Sequence, residues 1–287
     1  MAFLDQNPAL GYPIAATLGL LVGSFLNVVI LRLPRRLEWQ WKRDAREILE
    51  LPEIYDPPPP GIVIEPSHDP DTGARLSWWE NIPLLSYLML RGKSRHSGKP
   101  ISIQYPLVEL LTAVLVVASV WKFGFGWQGC GAALFSCFLV ALSGIDLRTQ
   151  LLPDQLTLPL MWLGLIASLE NLFVVPKVAV LGAIAGYVSL WTVWWLFKQI
   201  TGKEGMGHGD FKLLAAIGAW TGLQGVLPTI LLSSLVGAII GSIWLAVKGR
   251  DRATPIPFGP YLAIAGWVVF FWGEQMIDAY LRFSGIR

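Results

Sequence analysis

The sequence predicts an all-α polytopic membrane protein with about eight transmembrane helices, one of them short, and a cytosolic insert after the first. Three observations predict it. Of 287 residues, 54% are hydrophobic and only 15% charged, an apolar excess that a soluble core cannot hide. Apolar stretches recur that can each cross about 30 Å of hydrocarbon as a helix. Lys and Arg gather in alternate connecting segments, as the positive-inside rule requires of a chain that threads a bilayer repeatedly.

In chain order the first stretch is 11–31. No basic segment precedes it, no small-residue cleavage site follows, and Arg32, Arg35 and Arg36 come next, so it reads as a retained anchor (domain 1–31). Residues 32–104 form the cytosolic insert. They hold an amphipathic helix candidate around Leu37 to Leu51 and then Pro57 to Pro60, which a helix interior does not tolerate. Between Glu47 and Ala74 stand Glu47, Glu50, Glu53, Asp56, Glu65, Asp69 and Asp71 with no Lys or Arg. That stretch reads either as a solvated acidic loop or as a docking surface for a basic peptide.

The helical core, 105–287, supplies 105–121, 128–147, 155–175, 178–197, 226–247 and 259–281. It also holds 211–222 (FKLLAAIGAWTG), which is short for a span and reads as a short, tilted or re-entrant helix buried in protein. With that helix counted, 18 of the 22 Lys and Arg fall in 32–104, 148–154, 198–212 and 248–258. Those segments are then cytoplasmic and both termini lie on the other side. Without it, Lys248, Arg250 and Arg252 would lie outside.

Some function classes drop out. A net charge of +2, with no basic cluster interleaved with aromatics, gives no support for a nucleic-acid partner; membrane lipid is the partner that composition implies. Cys130 and Cys137 lie one heptad apart, roughly 10 Å along a helix and beyond disulfide reach, and read as buried packing residues. His68, His96 and His208 are scattered and no CxxC or HExxH occurs, so no metal is predicted.

Carboxylates at membrane depth are costly unless they face a polar cavity. Asp146, in LSGIDLRTQLLPD, falls at the cytoplasmic end of the third span, and Asp210, in GMGHGDFKLL, at the cytoplasmic start of the short helix. Brought together, two carboxylates share one proton, leaving a general base toward water and an acid toward a peptide carbonyl, which is aspartic-protease chemistry. Gly205, Gly207 and Gly209 remove side chains where an extended substrate backbone approaches, and Gly207 and Gly209 are the candidate substrate-binding positions. Bland readings stand beside these: Asp210 as an N-cap, and Asp146 as a helix-end carboxylate paired with Arg148. Asp154 reads as the N-cap of the fourth helix, and Glu109 as a polar-cavity or structural carboxylate. His208 tunes the pair or is an ordinary loop histidine, and Asn27 bonds helix to helix, with Gly23 and Ser24 permitting close packing.

Four blocks carry a family resemblance: GSFLNVVILRLPRR (23–36), WWENIPLLSYLMLRGKSRHSGKPISIQYPLVELLTA (78–113), IDLRTQLLPDQLTLPL (145–160) and GMGHGDFKLLAAIGAWTG (205–222). In this order and spread they resemble the type IV prepilin peptidases; the Gly-x-Gly-Asp string also resembles the presenilin-type motif. The resemblance implies a multi-pass bacterial inner-membrane enzyme with its active site at the cytoplasmic face. Such an enzyme removes the basic leader from prepilins or pseudopilins, serving pili or type II secretion, and N-methylates the new terminus with S-adenosylmethionine. It also implies that Asp146 and Asp210 are the catalytic pair. Many family members carry two CxxC pairs in the insert. Here the second pair's positions are Ser94 and Ser97 and the first is absent, so no zinc carries over and the insert must fold by packing or polar contacts. No glycine-rich nucleotide turn marks the methyl-donor site, and the insert around Gly98 and Lys99 with the adjacent helix ends is where it is expected. Two rivals use the same residues differently: an ion-coupled transporter, for which no convincing inverted repeat is found, and a non-catalytic assembly factor.

Overall fold

The computed structural model describes residues 2–52, 55–63, 65–66, 68, 72–77, 80, 82–248 and 257–285. Its helices are α1 (Ala2–Gln6), α2 (Pro8–Ile48), α3 (Leu85–Met89), α4 (Gln104–Phe123), α5 (Trp127–Thr149), α6 (Asp154–Leu169), α7 (Pro176–Thr201), α8 (His208–Thr221), α9 (Leu223–Lys248) and α10 (Gly259–Phe283). Among the described residues there are no strands, only isolated bridges His68–Arg75 and Lys93–Pro100. Helices α2, α4, α5, α7 and the Leu223–Ile243 part of α9 are long and apolar enough to cross a membrane. Helix α6 has 16 residues and α8 only 14. The protein is an all-α, membrane-embedded chain.

One boundary differs from the sequence reading. The Leu37 to Leu51 candidate is not a separate helix; α2 runs for 41 residues through Pro34 to Ile48. A proline forfeits one backbone donor, which a long helix tolerates when its neighbours hold the chain in place. Arg32 and Arg36 flank Pro34 and donate to the carbonyls of Gly61, Glu65 and Pro66, and of Pro59. The insert is thereby tied back along the helix. Glu53, Asp69 and Asp71 of the acidic stretch, Trp78, Trp79 and Asn81 of the second block, and Arg250 and Arg252 lie outside the described residues.

The chain forms two compact units, Met1–Ala141 and Leu142–Arg287. In the first, α2 packs along α4. Gly19 and Gly23, four residues apart, permit it: a Cβ there would stand 2.6 Å from the Ala113 Cα and 2.7 Å from the Glu109 Cα. Asn27 bridges the same helices, its Nδ2 donating to the Tyr105 carbonyl at 3.1 Å. Cys137 is buried as expected, but Cys130, in the first turn of α5, is exposed.

Ser94 and Ser97, where the family that the sequence resembles often carries a cysteine pair, stand in a hydrogen-bonded knuckle. Ser94 Oγ accepts the His96 and Ser97 amides, and the Gly98 and Ile101 amides donate to the Ser94 and Gly92 carbonyls. Polar contacts thus take up the turn that a metal would otherwise close.

In the second unit α8 is the centre, packed on α6, α7, α9 and α10. Asp210 to Trp220 are buried along it, apart from Lys212, which explains its length: a helix wrapped in protein need not span hydrocarbon. Gly182 and Gly186 of α7 let the backbones touch, since a Cβ at either would lie 2.2 Å from the Gly218 carbonyl oxygen or 2.5 Å from that of Leu214. Trp220 Nε1 donates to the Leu160 carbonyl at 2.8 Å and fixes α8 to α6.

Candidate active site

Helix α5 ends just past Asp146. The Gln150 amide closes its last turn on the Asp146 carbonyl at 2.9 Å, and Gln150 takes φ 54 to reverse the chain toward Pro153. The Asp146 side chain is buried, and its Oδ2 accepts the Gly259 amide at 2.9 Å. Gly259 opens α10, and only glycine serves: a Cβ would stand 2.6 Å from that same oxygen.

Asp210 stands in the first turn of α8 and is buried. It is not the N-cap; that position is Gly207, in extended conformation with no side-chain cap. The first turn of a helix carries unsatisfied amides and positive dipole, so a carboxylate there meets a favourable field. Asp146 and Asp210 are close enough to act on one another electrostatically. The second unit thus brings the two together on the end of α5 and the start of α8, where Asp146 accepts the Gly259 amide.

The glycines divide in role. A Cβ on Gly207 would meet only Asp210 Oδ2, at 3.9 Å, so the space beside the carboxylate is open. A Cβ on Gly209 would collide with the Leu152 Cβ at 2.7 Å, so that glycine makes room for Leu152. Leu152 also lies against Gly259, packing the connection after α5 between the two glycines. His208 packs its ring on Trp194 and Phe211, at centroid distances of 4.8 and 5.3 Å. Asp154 is the first residue of α6, not its N-cap, which is Pro153; it receives Lys212 Nζ at 2.7 and 2.8 Å. The pair ties the start of α6 to α8 two residues beyond Asp210.

Gly259, Leu152 and Lys212 were not singled out from sequence. Gly259 is one of 29 glycines, and its signal lay in the prolines around it, Pro255, Pro257 and Pro260, which mark a stiffened helix entry. In the first unit Glu109 is buried and accepts the Leu84 amide at 2.9 Å, as a structural carboxylate would, while also lining a cavity. Among the described residues no cluster of three or more His, Cys, Asp or Glu is placed to hold a metal ion.

The sequence matches two family descriptions: Bacterial Peptidase A24 N-terminal domain over residues 17–123, and Type IV leader peptidase family over residues 133–242. The prepilin leader peptidase/N-methyltransferase of Xanthomonas campestris pv. campestris is 79% identical over 287 residues, all of both chains. Its namesake in Pseudomonas aeruginosa is 52% identical over 99% of this chain and 98% of its own, and that of Neisseria gonorrhoeae 48% over 94% and 93%. No solved structure matches. With buried aspartates paired in the second unit and relatives this similar along the whole length, the chain belongs to the type IV leader peptidase family.

Proposed function

We propose that this protein cleaves the basic leader from type IV prepilins or type II secretion pseudopilins at the cytoplasmic face of the bacterial inner membrane, and N-methylates the residue exposed. The observation that carries the first half is the pairing of buried Asp146 and Asp210 at adjoining helix ends. The Gly259 amide can only donate, so the Asp146 oxygen it meets is not the one holding the shared proton. One aspartate of the pair is the base that takes a proton from water, and the other the acid that donates to the scissile carbonyl as the tetrahedral intermediate forms. Gly207 leaves room for the extended substrate backbone beside Asp210, and Gly209 keeps Leu152 seated next to it.

Residues 1–31 act as anchor, 32–104 as cytosolic insert and 105–287 as helical protease core. The Lys and Arg distribution supports this topology, with both termini periplasmic. The acidic stretch from Glu47 to Asp71 suits the basic leader.

The second half concerns S-adenosylmethionine. The first unit has room for such a ligand: a cavity of about 560 Å³, within the range of small-molecule sites, is lined by the carboxylates Glu80 and Glu109 and the cations Arg32, Arg35, Arg95 and Lys99. When bound, the donor supplies an electrophilic methyl group; an N–C bond forms as the C–S bond breaks, and the amine proton leaves to solvent. The chain's own part is to hold the donor and exclude water.

The reading is tested by incubating purified protein with a prepilin and S-adenosylmethionine and weighing the products. Loss of the leader with gain of one methyl group is expected; an intact substrate would overturn the protease reading. Solute uptake abolished by neutralising either aspartate would favour a transporter instead.

A further inference from the structure

Leu152 follows Asp146 in the connection that leaves α5, between Gln150, which reverses the chain at φ 54, and Pro153, the N-cap of α6. A residue before proline is confined to extended backbone, and Pro153 is itself buried with φ -64. The backbone therefore aims the Leu152 side chain in a narrow range of directions. One residue past Pro153, Asp154 receives Lys212 Nζ at 2.7 Å, which clips the connection to α8.

The side chain meets a glycine on either side. Its Cβ lies 2.7 Å, and its Cδ1 3.4 Å, from the point where a Cβ on Gly209 would stand; its Cδ2 lies 3.2 Å from the same point on Gly259. Gly209 immediately precedes Asp210, and Gly259 donates its amide to Asp146 Oδ2 at 2.9 Å. One leucine thus seats against the backbone that carries one carboxylate and against the backbone that anchors the other. Two carboxylates share a proton only while they are close, so their separation governs the chemistry more than the place of either alone. An apolar wedge packed between two backbones holds such a separation better than an exposed ion pair does, because it cannot give without opening a void.

We propose that Leu152 is a positioning residue for leader cleavage: wedged between Gly209 and Gly259, its side chain sets the separation of the Asp146 and Asp210 carboxylates. Leu152 acts through the two glycines and takes no part in the proton transfers. The assignment rests on the protease reading above and adds a residue to it.

The test measures kcat and KM for a purified prepilin across pH, with the full chain in detergent or nanodiscs and each variant shown to be folded by thermal unfolding. Leu152→Ala withdraws the wedge from Gly259 and thins it at Gly209. Leu152→Val is the milder change, keeping the Cβ at Gly209 while losing the reach to Gly259, and it decides the matter if the alanine variant does not fold. Leu152→Met keeps volume and reach. The expected kcat is lower by at least about tenfold in Leu152→Ala and by about threefold in Leu152→Val, with KM within about twofold of wild type, and Leu152→Met stays within about twofold in both. A proton shared less tightly also brings the two limbs of the pH profile of kcat together, so the bell narrows in Leu152→Ala and Leu152→Val and keeps its width in Leu152→Met. Arg148, Asp154, Lys198, His208 and Lys212, the other charged or titratable side chains near these helix ends, are the same in every variant. A kcat unchanged in folded Leu152→Ala or Leu152→Val, a lower kcat with a bell of wild-type width, or a Leu152→Met as slow as Leu152→Ala would each overturn the wedge while leaving the protease reading intact. Wild type that leaves the prepilin intact would overturn that reading instead.

Discussion

Asp146 and Gly259 meet through one hydrogen bond, on which the proposed chemistry depends. The Gly259→Ala substitution places a Cβ 2.6 Å from the Asp146 oxygen, so the carboxylate must shift or the amide must leave. The expected result is a fall in kcat of about 100-fold with KM little changed, because the reacting group is displaced while the substrate's other contacts persist. Steady-state cleavage of a prepilin measures it; an unchanged kcat would show that the amide does not position Asp146. Lys212→Met offers a contrast. Its bond to Asp154 is short but exposed, and the expected loss of stability is under about 1 kcal/mol by thermal unfolding. Glu80 adds a pH dependence. Its carboxyl lies below the ordinary value of 4.5, chiefly through the Ser77 amide and then His96, against the opposing effect of burial. A depressed carboxyl adds stability above the unfolded value and loses it as pH falls through the folded one. The stability advantage of wild type over Glu80→Gln should therefore shrink as pH falls below about 4.5. An advantage that grew as pH fell below that value would contradict the sign.

The helices set where these residues can stand. Helix α8 is short because α6, α7, α9 and α10 enclose it, and Gly182 and Gly186 let α7 approach its backbone. Gly186→Val would drive side-chain atoms into the Leu214 carbonyl, which cannot rotate away, and should cost about 3 kcal/mol in thermal unfolding. Apolar length and carboxylate placement made the helices and the aspartate pair legible in the sequence, since charge at membrane depth is rare enough to be informative. The continuation of α2 through Pro34 was hidden because a proline and a change to polar residues together imitate a helix end. The role of Gly259 was hidden for another reason. Its partner is 113 residues away, and no local pattern reports a bond of that separation. The glycines before Asp210 signalled close approach, but not that Gly209 is occupied by Leu152.

For the whole molecule, the charge distribution and the length of α8 together decide topology. If α8 counts as a crossing, the carboxyl terminus is periplasmic. A fluorescent-protein fusion at the carboxyl terminus should then be dark and an alkaline phosphatase fusion active; the reverse result would remove α8 from the count. The central claim is narrower, that Asp146 and Asp210 together cut a peptide bond. The most direct measurement is cleavage of a purified prepilin by wild type, Asp146→Asn and Asp210→Asn, each shown to be folded by thermal unfolding. Each variant should be slower by at least about 100-fold, since each removes one half of an acid–base pair. Leader removal at the wild-type rate by either variant would contradict the account.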